Sequence, residues 1–505
     1  MASRMEMSIK NAFWSYFSMM ITVFLQFISR TVFIYQLGEN YLGLNGLFSN
    51  ILGVLSFAEL GIGTAINFSL YKPVAQQDVE KIKAYMYFYK WAYRVIALIV
   101  FILGMVLFPF LNYLVTDPGN VGDIRVYYLI YLFNTVTSYL VSYKFSIANA
   151  EQKNYIYTNI NLITTVVTTL FQIISLVLWK NFLLYLLAAA IVGLLQKIFI
   201  CVYFNRKYPY LKESNVIKLN ENETAVLKRK VSALIVHKIG DVSVHQTDNI
   251  IISACISTVM VGLISNYTLI INTISTCINV VFNSVIGSLG NLSATTSKER
   301  QYSVFKEYRF LGFWLFGFTS IALSILLTPF IQLWIGKKMI VDDLIINLIL
   351  IDFYMIGQRI CLNNFKSAAG VFEEDKYVAL LQAIVNLVVS IMLAKIIGVP
   401  GVYIGTLVQG TMCTILKPIL TFNTLFEKKW ILYFGDSIKY IGVLSIAYAM
   451  CMVAKKIVLV QITITNFAIL VMIIAILPNV IFYIVFHKSK EFVYFKTYLW
   501  RCIKR

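Results

Sequence analysis

Charge is what this chain has least of. Of its 505 residues, 13% are Asp, Glu, Lys or Arg, against roughly a quarter in a soluble domain, and the mean hydropathy is +0.76. A water-soluble globule of this length is thereby excluded. Histidine is scarcer still, at three residues. The seven cysteines (Cys201, Cys255, Cys277, Cys361, Cys413, Cys451 and Cys502) stand singly, with no C-x-x-C or Cys-His spacing. That pattern excludes a disulfide framework and a Cys/His metal site, and leaves them as packing residues. No G-x-x-x-x-G-K-[ST], H-E-x-x-H or G-x-S-x-G occurs. The chain therefore has no phosphate-cradling loop with which to hydrolyse ATP and no hydrolase signature, and it is expected to be no enzyme.

What is present is apolar sequence in blocks of about 20 residues or more, the length a helix needs to cross roughly 30 Å of hydrocarbon. Before the polar stretch 205–230 there are six blocks, near 11–35, 42–70, 85–109, 124–146, 157–179 and 182–204. Eight follow, near 231–255, 259–290, 305–333, 344–366, 376–397, 400–424, 434–454 and 462–486. The expected fold is all-α, a polytopic membrane protein with fourteen transmembrane helices. The first block is too long for the apolar core of a signal peptide and no small-x-small cleavage pattern follows it, so it is expected to remain as the first span.

Orientation follows from the basic residues, which concentrate in cytoplasmic loops. With both termini inside, 31 of the 43 Lys and Arg fall on the cytoplasmic side and 6 outside. The formal net charge of +19 is then a basic face meeting anionic membrane lipids, and nucleic acid is not expected as a partner. No outside loop exceeds roughly 15 residues, which leaves no room for an external catalytic domain.

An internal repeat organises these spans. SIANAEQKNYIYTNINLITTVV from Ser146 resembles KSAAGVFEEDKYVALLQAIVNLVV from Lys366, with Ala148 and Tyr155 near Ala369 and Tyr377, and the next external turns, KNFLLY and GVPGVY, correspond as well. Six helices return a chain to its starting side, so the expectation is two pseudo-symmetric six-helix lobes, 1–204 and 231–430, joined by the cytoplasmic linker 205–230 and followed by two further helices and a basic tail at 431–505. Two lobes with a cavity between them permit alternating access by rocking.

Ionisable residues inside spans cost about 2.5–3.5 kcal/mol each on insertion scales and mark function by default. In HKIGDVSVHQTDNIIIS, residues His237, Asp241, His245 and Asp248 fall within roughly 80° of one helical face, with Lys238 at the edge of that stripe. If the helix begins later, His237 to Asp241 sit at the cytoplasmic interface, while Asp248 stays within it. Glu59, in SFAELGIGTAINF, is either a proton- or cation-binding carboxylate or one hydrogen-bonded to a neighbouring helix. Arg30 is a cationic contact or snorkels outward. Arg359, seven residues from Asp352 on one face, is a cationic contact or marks the inner end of its helix. Arg94 and Arg125 are interfacial anchors. Together Arg30, Lys238 and Arg359 offer contacts for a phosphate-bearing substrate. Glu59, Asp241, Asp248, His237 and His245 offer ion-coupling groups, with H⁺ and Na⁺ both open, and no cofactor is expected.

Fourteen helices in this order, with the stretch from Arg30 to Pro73 (RTVFIYQLGENYLGLNGLFSNILGVLSFAELGIGTAINFSLYKP) and HKIGDVSVHQTDNIIIS, resemble the bacterial polysaccharide transporter family of the multidrug/oligosaccharidyl-lipid/polysaccharide exporter superfamily. The resemblance implies a plasma-membrane flippase with cytoplasmic termini. Its substrate would be undecaprenyl-diphosphate-linked oligosaccharide repeat units for capsule, exopolysaccharide or O-antigen synthesis, and its partners a polysaccharide polymerase and glycosyltransferases. It carries over to Arg30 and Asp248. A multidrug or cation antiporter of the same superfamily, an integral membrane glycosyltransferase and an uncoupled scramblase are the competing readings.

Overall fold

The computed structural model describes residues 4–56, 62–213, 246–371 and 376–503, together with Leu219, Thr224, Ala225 and Glu374. Among the described residues every regular element is helical, and eleven helices are long and apolar enough to cross a membrane. The chain is an all-α, multi-pass membrane protein, and helix is found within each of the fourteen apolar blocks. The contacts divide it into two compact units, Met1–Gly262 and Leu263–Arg505.

The first unit contains α1 (Arg4–Leu55), α2 (Ile62–Gln76), α3 (Val79–Leu107), α4 (Leu111–Leu114), α5 (Ile124–Ser142), α6 (Phe145–Ala150), α7 (Tyr155–Trp179), α8 (Phe182–Lys207) and α9 (Thr247–Cys255). Their ends are written in the sequence. Asp78, Asp123 and Asn181 accept backbone N–H groups from the first turns of α3, α5 and α8, the usual satisfaction of orphan donors at helix starts. Two of the expected blocks are resolved differently. Those at 11–35 and 42–70 run on through α1 with a kink at Gly38, whose φ of 80° is open to glycine and closed to most side chains. The helix then stops at Leu55, and α2 begins at Ile62 and runs past the expected end to Gln76. α1 packs on α7 and α9, and α5 lies between α3 and α8.

α10 (Thr258–Ser284) crosses the boundary between the units. The second unit continues with α11 (Ile286–Thr295), α12 (Lys298–Ile335), α13 (Asp343–Ala369), α14 (Lys376–Ile397), α15 (Val399–Phe426), α16 (Ile431–Val458), α17 (Ile464–Phe486) and α18 (Lys490–Ile503). α14 and α15 cross closely at Gly401 and Gly405, where an added Cβ would strike the backbone of Leu393 and Ser390, the small-residue crossing that lets membrane helices touch. The α16–α17 hairpin is fixed to α12 by one apolar cluster: Phe310, Phe313, Ile321 and Ile325 meet Tyr440, Ala447, Leu470 and Phe482, with Phe492 and Phe495 of α18 against its edge. Phe313 and Tyr440 stack at 4.3 Å between centroids. The C-terminal segment 490–503, expected as a basic tail, is thus a docked helix.

Two turns, one in each unit, share a geometry. After α6, Gln152 adopts φ 61° and the Lys153 N–H donates to the Ala148 carbonyl at 2.8 Å; after α13, Gly370 adopts φ 74° and the Val371 N–H donates to Lys366 at 3.0 Å. The next turns differ: Lys180 is left-handed (φ 49°, ψ 39°), whereas Gly398 has φ 68° and ψ −142° and opens α15. The turns at Gln152 and Gly370 are C-terminal turns of one type, built from different residues.

Candidate functional site

The chemistry of this chain lies in the polar side chains within its spans. Arg30 in α1 is half-buried and lies within electrostatic reach of Tyr185 in α8 and Tyr131 in α5. Tyr185 is hydrogen-bonded with Ser29 and Gln172, and Phe33 packs edge-on against it at 5.1 Å. Tyr131 donates to Asn45 Oδ1. The guanidinium is thus near two tyrosines, of α5 and α8, which are themselves hydrogen-bonded to side chains of α1 and α7 within the first unit.

Lys197, on α8, lies in the same unit and is buried. Its ammonium donates to the Asn134 carbonyl at 3.1 Å, to Asn134 Oδ1 at 2.8 Å and to Thr137 Oγ1 at 2.7 Å. Three N–H donors thus meet three neutral oxygens. Next to it, Gln196 donates to Asn161 of α7 at 2.8 Å.

In the second unit, Arg359 pairs with Asp352 at 3.7 Å and donates to the Gly410 carbonyl of α15 at 2.7 Å. The expected shared face of α13 is observed, and Arg359 is directed into the bundle at 11% side-chain exposure. Arg309, which sequence reasoning did not single out, is 2% exposed. It donates from Nη1 to the Tyr433 carbonyl at 2.8 Å and from Nη2 to Ser437 Oγ at 2.5 Å. Tyr433 and Ser437 also line a cleft of about 770 Å³ between α12, α13, α15 and α16, whose walls are mostly apolar.

Asp248 occupies the first turn of α9, where the helix dipole favours a carboxylate, and one of its oxygens is fully buried. The far end of α9 is tied down: Ser253 donates to the Leu114 carbonyl at 2.8 Å and Thr116 to Ala254 at 3.1 Å. Glu59, His237, Lys238, Asp241 and His245 lie outside the described residues. Arg125 is exposed in the first turn of α5, but Arg94, expected at a block edge, is exposed at the middle of α3. Among the described residues no three His, Cys, Asp or Glu side chains converge as a metal site would require.

No protein-family model matches the chain. No curated protein matches it either. Solved structures do. The lipid II flippase MurJ in an inward closed conformation superposes with a TM-score of 0.65 at 14% identity, covering 95% of this chain and 99% of that one. An inward-facing multidrug resistance MATE family transporter of the MOP superfamily gives 0.61 at 13% identity, over 78% of this chain and 92% of that one. A mutant form of the Vibrio cholerae MATE transporter VcmN gives 0.57 at 15% identity, over 85% of this chain and 98% of that one. At these identities the likeness is one of fold, and the chain shares the fold of the transporters of that superfamily.

Proposed function

We propose that this protein is a flippase moving undecaprenyl-diphosphate-linked oligosaccharide repeat units across the bacterial plasma membrane, by alternating access and with ion coupling. The observation that carries this reading is that each unit keeps an arginine within its spans and turned onto its own bundle, Arg30 among tyrosines and Arg359 beside Asp352. A guanidinium fork matches a diphosphate better than any other side chain. A small organic cation, the cargo class of a cation antiporter, has no use for it. The extent of the structural likeness supports the same reading: the lipid II flippase accounts for 95% of the chain, the two transporters above for 78% and 85%.

On this reading Arg30, Arg359 and Lys238 contact the diphosphate, and Asp248, with Glu59, Asp241, His237 and His245, carries the coupling ion, H⁺ or Na⁺. Anionic lipid meets the basic cytoplasmic face, and a polymerase receives the product. The second reading, a multidrug or cation antiporter, is favoured by the pairing of Asp352 with Arg359, a carboxylate that could exchange a cation.

The deciding experiment is the leaflet distribution of undecaprenyl-linked repeat units in cells depleted of the protein, with surface polysaccharide measured alongside. Accumulation in the cytoplasmic leaflet with loss of surface polymer is expected. An unchanged lipid-linked pool and normal surface polymer overturn the flippase reading in favour of the antiporter.

A further inference from the structure

Gln358, on α13, is 6% exposed and lines the cleft of the second unit. Its amide Nε2 and Oε1 are both buried and hydrogen-bond to no described protein group. Ser320 on α12, facing the same cleft, has a buried hydroxyl in the same condition. Other hydroxyls on the wall are already committed: Ser324 to Asn347, Ser437 to the Tyr433 carbonyl at 2.9 Å, Thr414 to Gly410 at 2.8 Å and Ser445 to Ile441 at 2.9 Å. Buried polar groups are nearly always satisfied, and those left over call for an explanation.

The surroundings narrow what would satisfy them. No charged side chain lines the cleft among the described residues. Arg309 spends both terminal nitrogens on Tyr433 and Ser437 and is covered by the Tyr433 ring at 3.6 Å. Most of the rest of the wall is apolar, with Leu350, Ile351, Ile415, Ile438, Ile441 and Leu444, alongside Tyr354, Thr411 and Tyr448, and the volume of about 770 Å³ is that of a small-molecule site. An amide presents a donor beside an acceptor, and its complement is a group that does the same.

We infer that this cleft binds an uncharged amphiphile, its amide or hydroxyl end on Gln358 and Ser320 and its hydrocarbon along the α13 and α16 walls. The site lies wholly within the second unit and stands whether or not the chain moves a lipid-linked saccharide.

The test uses the full-length protein in lipid nanodiscs and three diazirine probes of equal chain length: hexadecanamide, hexadecyl phosphate and hexadecane. Labelled peptides are mapped by mass spectrometry. The amide probe is expected to label α13 and α16, and unlabelled hexadecanamide to displace it. Gln358→Leu, which keeps size and removes both polar atoms, should cut amide labelling by about fivefold, with a smaller loss in Ser320→Ala. Hexadecane labelling should hold in both variants, which certifies an intact cleft. Equal amide labelling of wild type and Gln358→Leu overturns the inference and leaves the amide satisfied by water. Stronger labelling by hexadecyl phosphate than by the amide overturns it too, in favour of an anionic headgroup.

Discussion

Arg309 lays its guanidinium 3.6 Å from the centroid of the Tyr433 ring while donating to that residue's own carbonyl at 2.8 Å. A single side chain of α12 thus holds both the backbone and the ring of α16 at the point where the C-terminal hairpin begins. Stacking on an aromatic face contributes about 2 kcal/mol when desolvated, and a charged hydrogen bond about 1.5–3 kcal/mol. Arg309→Met should therefore lower the midpoint of thermal unfolding by several degrees. Arg309→Lys should fail to rescue it, because an ammonium can neither fork nor stack in the same way. A lysine variant as stable as wild type would show that charge alone matters here.

Arg359 bonds Gly410 at 2.7 Å but meets Asp352 at 3.7 Å, so the carboxylate is the looser of its two partners. Asp352→Asn should leave the fold intact and the arginine in place. Arg359→Gln removes the cation and should reduce surface polysaccharide by about tenfold at equal protein in the membrane. Export that survives Arg359→Gln undiminished removes this residue from the substrate path.

Asp248 and Arg30 stand on different helices of the first unit, and each is predicted to serve transport more than folding. Asp248→Asn and Arg30→Ala should each depress export with membrane protein level unchanged, and the shortfall of Asp248→Asn should vary with external pH or Na⁺. Full export by both variants would sink the assignment of these two residues.

The docking of α18 carries a pH dependence whose sign follows from Glu491. Burial by itself would raise this carboxyl, but a backbone hydrogen bond and the Lys306 ammonium at 3.0 Å more than offset it and hold the group below its ordinary value. A depressed acid contributes stability above its unfolded value of about 4.3, and the contribution disappears as pH falls through the folded one. The helix should thus be docked at neutral pH and release more readily below about pH 4. The pair is partly exposed, so its worth is at most about 1 kcal/mol. Proteolysis of the C-terminal segment at two pH values reads it: Glu491→Gln should raise cleavage at neutral pH and remove the acid-induced increase.

The spans were legible because fourteen apolar runs have the length that hydrocarbon demands, and the Asp352–Arg359 pairing because a seven-residue spacing keeps one face. The run of α1 through two expected blocks was not, since the polar residues between them give no sign that the helix continues and bends at Gly38. Arg309 was hidden for a different reason. It stands near the start of an apolar block, where basic residues are ordinary, and its partner Tyr433 is 124 residues away. Gln358 and Ser320 leave no trace at all, because a neutral polar residue within a span has no pattern until its neighbours are known to ignore it.

Lys197 shows how far such a neighbourhood specifies one side chain. Its three contacts, at 3.1, 2.8 and 2.7 Å, are the Asn134 carbonyl, Asn134 Oδ1 and Thr137 Oγ1, so protonated lysine fills the site with no donor left over. Methionine has similar length and no donors. Lys197→Met would strand oxygens inside a membrane bundle at about 1–3 kcal/mol for each one left without a partner. Lys197→Gln restores two donors and should recover part of the loss. The cradle can also be disturbed from outside the lysine, because a Cβ at Gly193 would lie 3.0 Å from Asn134 Oδ1 and 3.8 Å from the ammonium. Gly193→Ala should displace the asparagine and lower the unfolding midpoint less than Lys197→Met does. The expected order of midpoints is wild type, Gly193→Ala, Lys197→Gln, Lys197→Met. If Lys197→Met matches wild type, the three oxygens find other donors and the ammonium is dispensable for folding, which would leave transport as the reason for a buried cation at this position.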